Sequence, residues 1–202
     1  MKKKFIVSCA MSALLILAPI TSVGAYEFNE LTMSQEEIIN ATPAEEPSQE
    51  MIQIMSRSSN YNKYTIPGKK GTLTSNVWRS KQKTSGNTLQ WNYQVSAVYS
   101  GSQEVSSIRT TWKSTASLRN SASINLGLSN TGANAGSSSS WQNVTTVSKY
   151  WTNTNGSKEA SYSSNTVVSP KDDYKKNSIA TINTARVVLK GDAKPYEILA
   201  SC

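Results

Sequence analysis

The chain from Ser58 to Cys202 reads as an all-β domain, an antiparallel β-sandwich of about nine strands, and three observations carry that reading. Leu89, Trp91, Tyr93, Val95, Ala97 and Tyr99 share one parity, while Thr88, Gln90, Asn92, Gln94 and Ser96 hold the other. A period of two is a strand with one buried and one wet face. Comparable runs recur along the segment with Gly, Asn and Ser between them, the spacing of strands and turns. The segment is 145 residues long, the usual size of one domain. A small barrel is the alternative closure of the same strands.

Residues 1–25 read as a signal peptide. Lys2, Lys3 and Lys4 precede an apolar run through Ile16, Leu17 and Ala18, and Val23-Gly24-Ala25 supplies the small residues of a cleavage site. The 16 residues from Phe5 to Ile20 are fewer than the roughly 20 that span a bilayer. The protein is therefore expected to be secreted and extracellular, with cleavage after Ala25. Cys9 lies ahead of the apolar core, the wrong place for a lipoprotein cysteine. After cleavage Cys202 is the one remaining cysteine, so no intramolecular disulfide can form. That pattern is ordinary for a bacterial exoprotein. Cys202 is expected to be a free thiol on a frayed end, with a disulfide-linked homodimer through it as the other reading.

Residues 26–57 carry seven acids (Glu27, Glu30, Glu36, Glu37, Glu45, Glu46, Glu50) against Arg57 alone. Ser34 with Glu37, and Thr42-Pro43 with Glu45, have the form of capping boxes, which predicts short helices over Gln35 to Asn40 and Ala44 to Met55. Such helices are marginal alone. Two readings of the segment follow. It is a propeptide that docks on the basic domain and is removed near Arg57-Ser58, or it is a partly disordered, solvated linker. Met51, Ile52, Ile54 and Met55 give the second helix an apolar stripe that favours docking.

In the domain, residues 58–202, further strands are predicted over Tyr61 to Ile66, Thr72 to Lys83, Val105 to Trp112, Ala122 to Ser129, Trp141 to Trp151, Glu159 to Val168, Ile179 to Leu189 and Tyr196 to Ala200. Ser85-Gly86-Asn87, Ser100-Gly101 and Asn155-Gly156 lie between neighbouring runs and suit the positive φ of tight hairpins. Leu, Ile and Val number 23 here, with no Phe or Met, a low content for a folded domain. Five Trp and eight Tyr supply the missing apolar area. The 27 Ser and 16 Thr are expected on the solvent faces.

The chain has no histidine. Ser-His-Asp and Cys-His catalysis and His-bearing zinc sites are therefore excluded. Six carboxylates remain in the domain, and the adjacent pair Asp172-Asp173 lies in a Pro- and Lys-rich stretch read as an exposed loop. Ser80-Lys81-Gln82-Lys83 matches Ser-x-x-Lys, but on a strand end in place of the helix that penicillin-binding enzymes use. Gly127, Gly132 and Gly136 punctuate a Ser/Asn loop with no helix after it, unlike a phosphate-binding loop. No enzyme, cofactor or metal site is expected.

Charge is the strongest functional signal: 17 Lys and Arg face six acids in the domain, a net +11. Outside a cell the expected partner is an anionic cell-wall polymer or membrane surface, and not a nucleic acid. The candidate surface-binding residues are Tyr61, Lys63, Tyr64, Lys69 and Lys70 at the start of the domain and Lys175 and Lys176 further on. Lys149, Tyr150 and Trp151 form another aromatic and basic group. Two alternatives remain open. The uncharged run from Ser121 to Ser140 suits a β-hairpin that inserts into a membrane, as in a pore-forming or bacteriocin-like toxin. The tyrosines and tryptophans suit a lectin-like site.

Overall fold

Alternation gives a strand such as Thr88–Ser100 one apolar face, and two sheets bury their inward faces against each other. The structure is a computed structural model that describes residues 33–44, 58–127 and 132–202. The expected signal peptide and residues 45–57 lie outside them. The described elements are α1 (Gln35–Ile39), β1 (Thr42–Pro43), β2 (Ser58–Ile66), β3 (Gly71–Arg79), β4 (Lys83–Ser85), β5 (Thr88–Ser100), β6 (Val105–Leu118), β7 (Ser123–Leu126), β8 (Ala133–Asn134), β9 (Gln142–Thr145), β10 (Lys149–Asn153), β11 (Glu159–Ser169), β12 (Ala180–Leu189) and β13 (Tyr196–Ser201). One sheet runs β1-β10-β6-β12-β13, with β9 also on β6. The other runs β2-β3-β5-β11-β7-β8, with β4 also on β5. Neighbours are antiparallel except β1 and β10. The fold is the expected β-sandwich.

Each of the nine predicted strands has a counterpart. The one expected over Thr72 to Lys83 ends at Arg79, with Lys83 opening β4, and the last residues of the one expected over Ala122 to Ser129 lie outside the described residues. The one expected over Trp141 to Trp151 is divided. β9 pairs with the second half of β6 and β10 with the first half. Between them the Thr146 amide donates to the Ser114 carbonyl, and the Thr146 hydroxyl accepts from the Ser114 amide at 3.0 Å. A side chain thus replaces one rung of the ladder. The turns also differ from expectation. Ser85-Gly86-Asn87 does close a hairpin, between β4 and β5. Ser100-Gly101 and Asn155-Gly156 instead carry the chain from one sheet to the other. Gly71, at φ +113, lets the β2–β3 turn approach the end of β5, because a Cβ there would meet the Ser100 carbonyl.

The expected inward parity of β5 holds, since Leu89, Trp91, Tyr93, Val95, Ala97 and Tyr99 are all buried, but on the other parity Ser96 is buried as well. From the facing sheet, Trp112 donates its indole N–H to the Tyr93 hydroxyl at 2.8 Å and stacks on Tyr162 at 4.6 Å. The expectation that Ser and Thr lie on solvent faces needs correction. Ser75, Ser96, Thr110, Ser114, Thr166 and Thr181 are buried. Asn183 of β12 anchors this polar interior: its Oδ1 accepts from Thr110, and its Nδ2 contacts the Ser75 hydroxyl and the Ser96 carbonyl at 3.0 Å each. Ser114 Oγ lies 3.1 Å from the hydroxyls of both Thr166 and Thr181. Hydroxyls that satisfy one another can be buried at little cost. At one side Asn60 and Asn62 of β2 donate to the Ser201 and Leu199 carbonyls of β13. Side chains, not a continuous ladder, join these two edges, as in a sandwich and unlike a barrel.

Asn183→Ala should leave the Thr110 hydroxyl and the Ser96 carbonyl short of a partner, costing about 1–3 kcal/mol. Trp112→Ala should cost about 3–5 kcal/mol. Trp141→Ala, at a ring left 41% exposed, is the control and should cost under about 1 kcal/mol. Urea midpoints that rank the three equally would contradict this account of the interior.

Candidate anion-binding faces

The outer face of the first sheet is covered by a strap, residues 33–44. Its helix α1 opens on the expected capping box, in which the Glu37 amide donates to Ser34 Oγ at 3.2 Å and the Ser34 amide to Glu37 Oε2 at 2.8 Å. Thr42-Pro43, expected to open a second helix, instead forms β1 beside the β10 edge. The Thr42 and Ala44 amides donate to the Ser148 and Tyr150 carbonyls at 2.9 Å. Pro43, which has no N–H, falls between the two donors. The rest of the expected second helix lies outside the described residues.

The contacts of the strap trace a path across the strands. Gln35 Nε2 donates to Glu197 on β13 at 2.6 Å, and the Thr184 hydroxyl on β12 points at the Met33 sulfur at 3.6 Å. On β6, Lys113 Nζ donates to Glu37 Oε1 at 2.5 Å and Arg109 Nη2 to the Ile38 carbonyl at 2.7 Å. Met33, Ile38 and Ala41 are buried.

Beneath the strap lies a row of cations. Arg109, Thr111 and Lys113 alternate with the inward Trp112, so they point outward. Their partners in register on β12 are Arg186, Thr184 and Ile182. Arg109 and Arg186 are therefore directly opposite, an unfavourable placement for like charges. Arg186 Nε sits 3.5 Å from Glu197 Oε1 on β13, and the Arg109 guanidinium lies 3.8 Å from the centroid of the Tyr150 ring. Lys113 is only 7% exposed. Sequence reasoning missed this site. The one available signal was the hydroxyl-rich run from Thr110 to Ser117, whose Ser and Thr could be placed on solvent faces as easily as inside.

Glu37 is tuned by this placement. Burial alone would push its carboxyl up, but the bonds from Lys113 and from the Ser34 amide outweigh that and hold it below the ordinary carboxylate value. A lowered folded-state pKa contributes stability that is present above the unfolded value and lost as pH falls through the folded one. The strap should therefore stay docked at neutral pH and loosen below about pH 4.3. Amide exchange at Thr42 and Ala44, compared between wild type and Glu37→Gln, checks this. In the variant the protection of these two amides should be weaker at neutral pH and should change less than in the wild type as the pH falls through the carboxylate range.

The residues singled out from sequence do not form one patch. Tyr61 is 59% exposed, with Lys63 Nζ 5.3 Å from its ring centroid. Lys69 occupies the β2–β3 turn at φ +57. Lys70 is not simply displayed to solvent. It forms an ion pair with Asp192, whose other oxygen accepts from the Tyr196 hydroxyl at 2.9 Å, and Tyr196 stacks on Tyr64 at 6.3 Å. The bond to Lys70 lowers the Asp192 pKa and raises that of Lys70. Lys175 and Lys176 are at the other end of the sandwich. The Lys175 amide bonds to Ser117 near the close of β6, whereas Lys70 is beside Gly101, just before β6 begins. The 14 residues of β6 separate the two ends by roughly 40 Å. Asp173, in the stretch expected to be an exposed loop, accepts from Arg119 at 3.0 Å and Asn120 at 2.7 Å, bonds that tie the loop to the end of β6. Tyr150 and Trp151 of the third group face opposite ways, Tyr150 under Arg109 and Trp151 into the core.

Cys202 is a free thiol, but its end is not frayed. Its amide and carbonyl both bond to Thr181, extending β13, and its side chain packs beside the cluster of Val77, Tyr93 and Trp112. Burial pushes the thiol pKa up. At pH 8 the folded protein should alkylate several-fold more slowly than the urea-unfolded chain, since the thiolate is the reacting form. Equal rates would show that the last residues are loose. A non-reducing gel of the same samples reads any homodimer linked through Cys202.

The sequence matches no model of a known protein family and no curated protein.

Proposed function

We propose that the protein works outside the cell as a non-enzymatic, cationic β-sandwich that binds an anionic cell-wall polymer or membrane surface. One observation carries the reading: the domain's cations outnumber its own carboxylates by 11. Four of its six acids are already spent within the domain, in Lys70–Asp192, Arg119–Asp173, Arg186–Glu197 and Lys190–Glu104. Most of the remaining positive charge has no acid of the domain left to pair with. The exposed Tyr61–Lys63 pair and the Lys69 turn offer contact points at one end of the molecule, and the Lys176 loop offers them at the other.

The test uses vesicles of phosphatidylglycerol or of phosphatidylcholine. Binding should require the anionic lipid and fall steeply between about 0.05 and 0.5 M salt, because solvated charges are screened over about 8 Å at physiological ionic strength. It should be nearly flat from about pH 6 to 7.5, since the chain has no histidine to titrate there. Neutralising Lys69 and Lys176 together should weaken it additively, because the two ends act independently. Dye release from the same vesicles would favour the pore-forming reading. Binding that survives molar salt and is competed by a neutral sugar would favour a lectin.

A further inference from the structure

We infer that the outer face of the first sheet, centred on Arg109, Lys113 and Arg186, is a binding site for a linear phosphate polymer, and that residues 33–44 are its built-in, displaceable occupant. This rests on the polyanion reading above and adds the place and the gate.

The charges define the site. Without the strap, Arg109, Lys113 and Arg186 would face one carboxylate, Glu197, which is in register with Arg186. Two arginines directly opposite each other on β6 and β12 place their Cβ atoms about 5 Å apart. Their planar forks suit the oxygens of a phosphate, and Lys113 adds a point charge four residues along β6 from Arg109. The strap meets this demand in part. Glu37 neutralises Lys113, while Arg109 receives the neutral Ile38 carbonyl and the Thr111 hydroxyl. The path of the strap, across the strands from β13 to β10, is the path a linear polyanion would take to reach the same cations.

The strap is also held in a replaceable way. Its helix has five residues and its strand two, both too short to persist without the surface beneath. The Glu37 carboxylate is 41% exposed at its side chain, so water and salt reach one side of the Lys113–Glu37 pair and weaken it. The strap departs from a pure linker in burying Met33, Ile38 and Ala41. Those residues set how firmly the gate closes.

The experiment compares the wild-type protein with Glu37→Gln/Ile38→Ser, using long-chain inorganic polyphosphate as the probe. Amide exchange at Thr42 and Ala44 reports whether the strap is released, and the near-ultraviolet circular dichroism of the buried tryptophans reports whether the sandwich stays folded. Glu37→Lys, which keeps the apolar anchor, is the second variant in case the double one unfolds. A strap closed nine-tenths of the time weakens apparent affinity about tenfold. Release should therefore tighten polyphosphate binding by about that factor or more. Adding Arg109→Gln and Arg186→Gln should return it to the wild-type level or below. A synthetic peptide of residues 31–44 should compete with polyphosphate on the released variant.

Unchanged affinity with a demonstrably released strap would overturn the inference while leaving the general polyanion reading in place, provided both proteins still bind in a salt-sensitive way. Binding of the peptide alone, with no polyphosphate binding, would overturn the phosphate assignment in favour of an acidic peptide. Failure of both proteins to bind polyphosphate and anionic vesicles would remove the polyanion reading together with this site.

Discussion

Trp112 and Lys113 are consecutive residues that point to opposite faces of β6, and both are buried. The two faces of the first sheet are organised by that double burial. Inward, Trp112 fills the space between the sheets and bonds to Tyr93. Outward, a lysine can be buried only with a carboxylate beside it, because an ammonium taken from water without a partner is strongly disfavoured. The carboxylate comes from Glu37, in a segment that precedes the β-domain. A central strand covered on both faces is common where helices cover a sheet. Here a single acidic strap does the same for one face of a sandwich.

The interior solves a related problem with neutral groups. A domain with few aliphatic side chains and no Phe or Met would ordinarily lack apolar area to bury. The aromatic rings of Trp91, Tyr93, Trp112 and Tyr162 supply part of it. The rest of the space between the sheets is filled by Asn183 and the hydroxyls of Ser75, Thr110, Ser114, Thr166 and Thr181, which satisfy one another. Such a network has narrow tolerance, since an unpaired member costs more than each bond contributes. Polar groups inside and cations outside make the first sheet unusually demanding of its neighbours on both sides.

Electrostatics divide the chain at the same boundary as composition. The acidic segment before Ser58 and the basic domain after it attract, and the strap is where that attraction takes a definite form. The lysines at the two ends of the sandwich belong to a different regime. They are solvated, far apart and screened by salt, so they act as separate contributions to long-range attraction. Arg109, Arg186 and Lys113 lie close together under a cover, where each added anion counts for more.

The nine longer runs as strands, the parity of β5's inward residues and the capping box at Ser34 could all be read in the sequence, because each depends on neighbours within a few positions in the chain. The short β1, β4 and β8 could not. Alternation shows which residues share a face whatever that face meets, and a Ser followed three residues later by Glu needs only one helical turn to act. Membership of one sheet or the other was not legible. Ser100-Gly101 and Asn155-Gly156 look like hairpin turns, yet they carry the chain across the sandwich, and a turn motif holds no record of which strand will pair with the next. The buried hydroxyls were likewise misplaced, because a serine is polar in sequence and becomes an interior residue only when a partner from a distant strand satisfies it. The cationic face on β6 and β12 was hidden for the same reason. Arg109 and Arg186 are 77 positions apart in the chain and are neighbours only through the register of two strands. Local patterning determined the strands and the excess of charge. The pairing of distant strands decided which charges meet, and what must cover them.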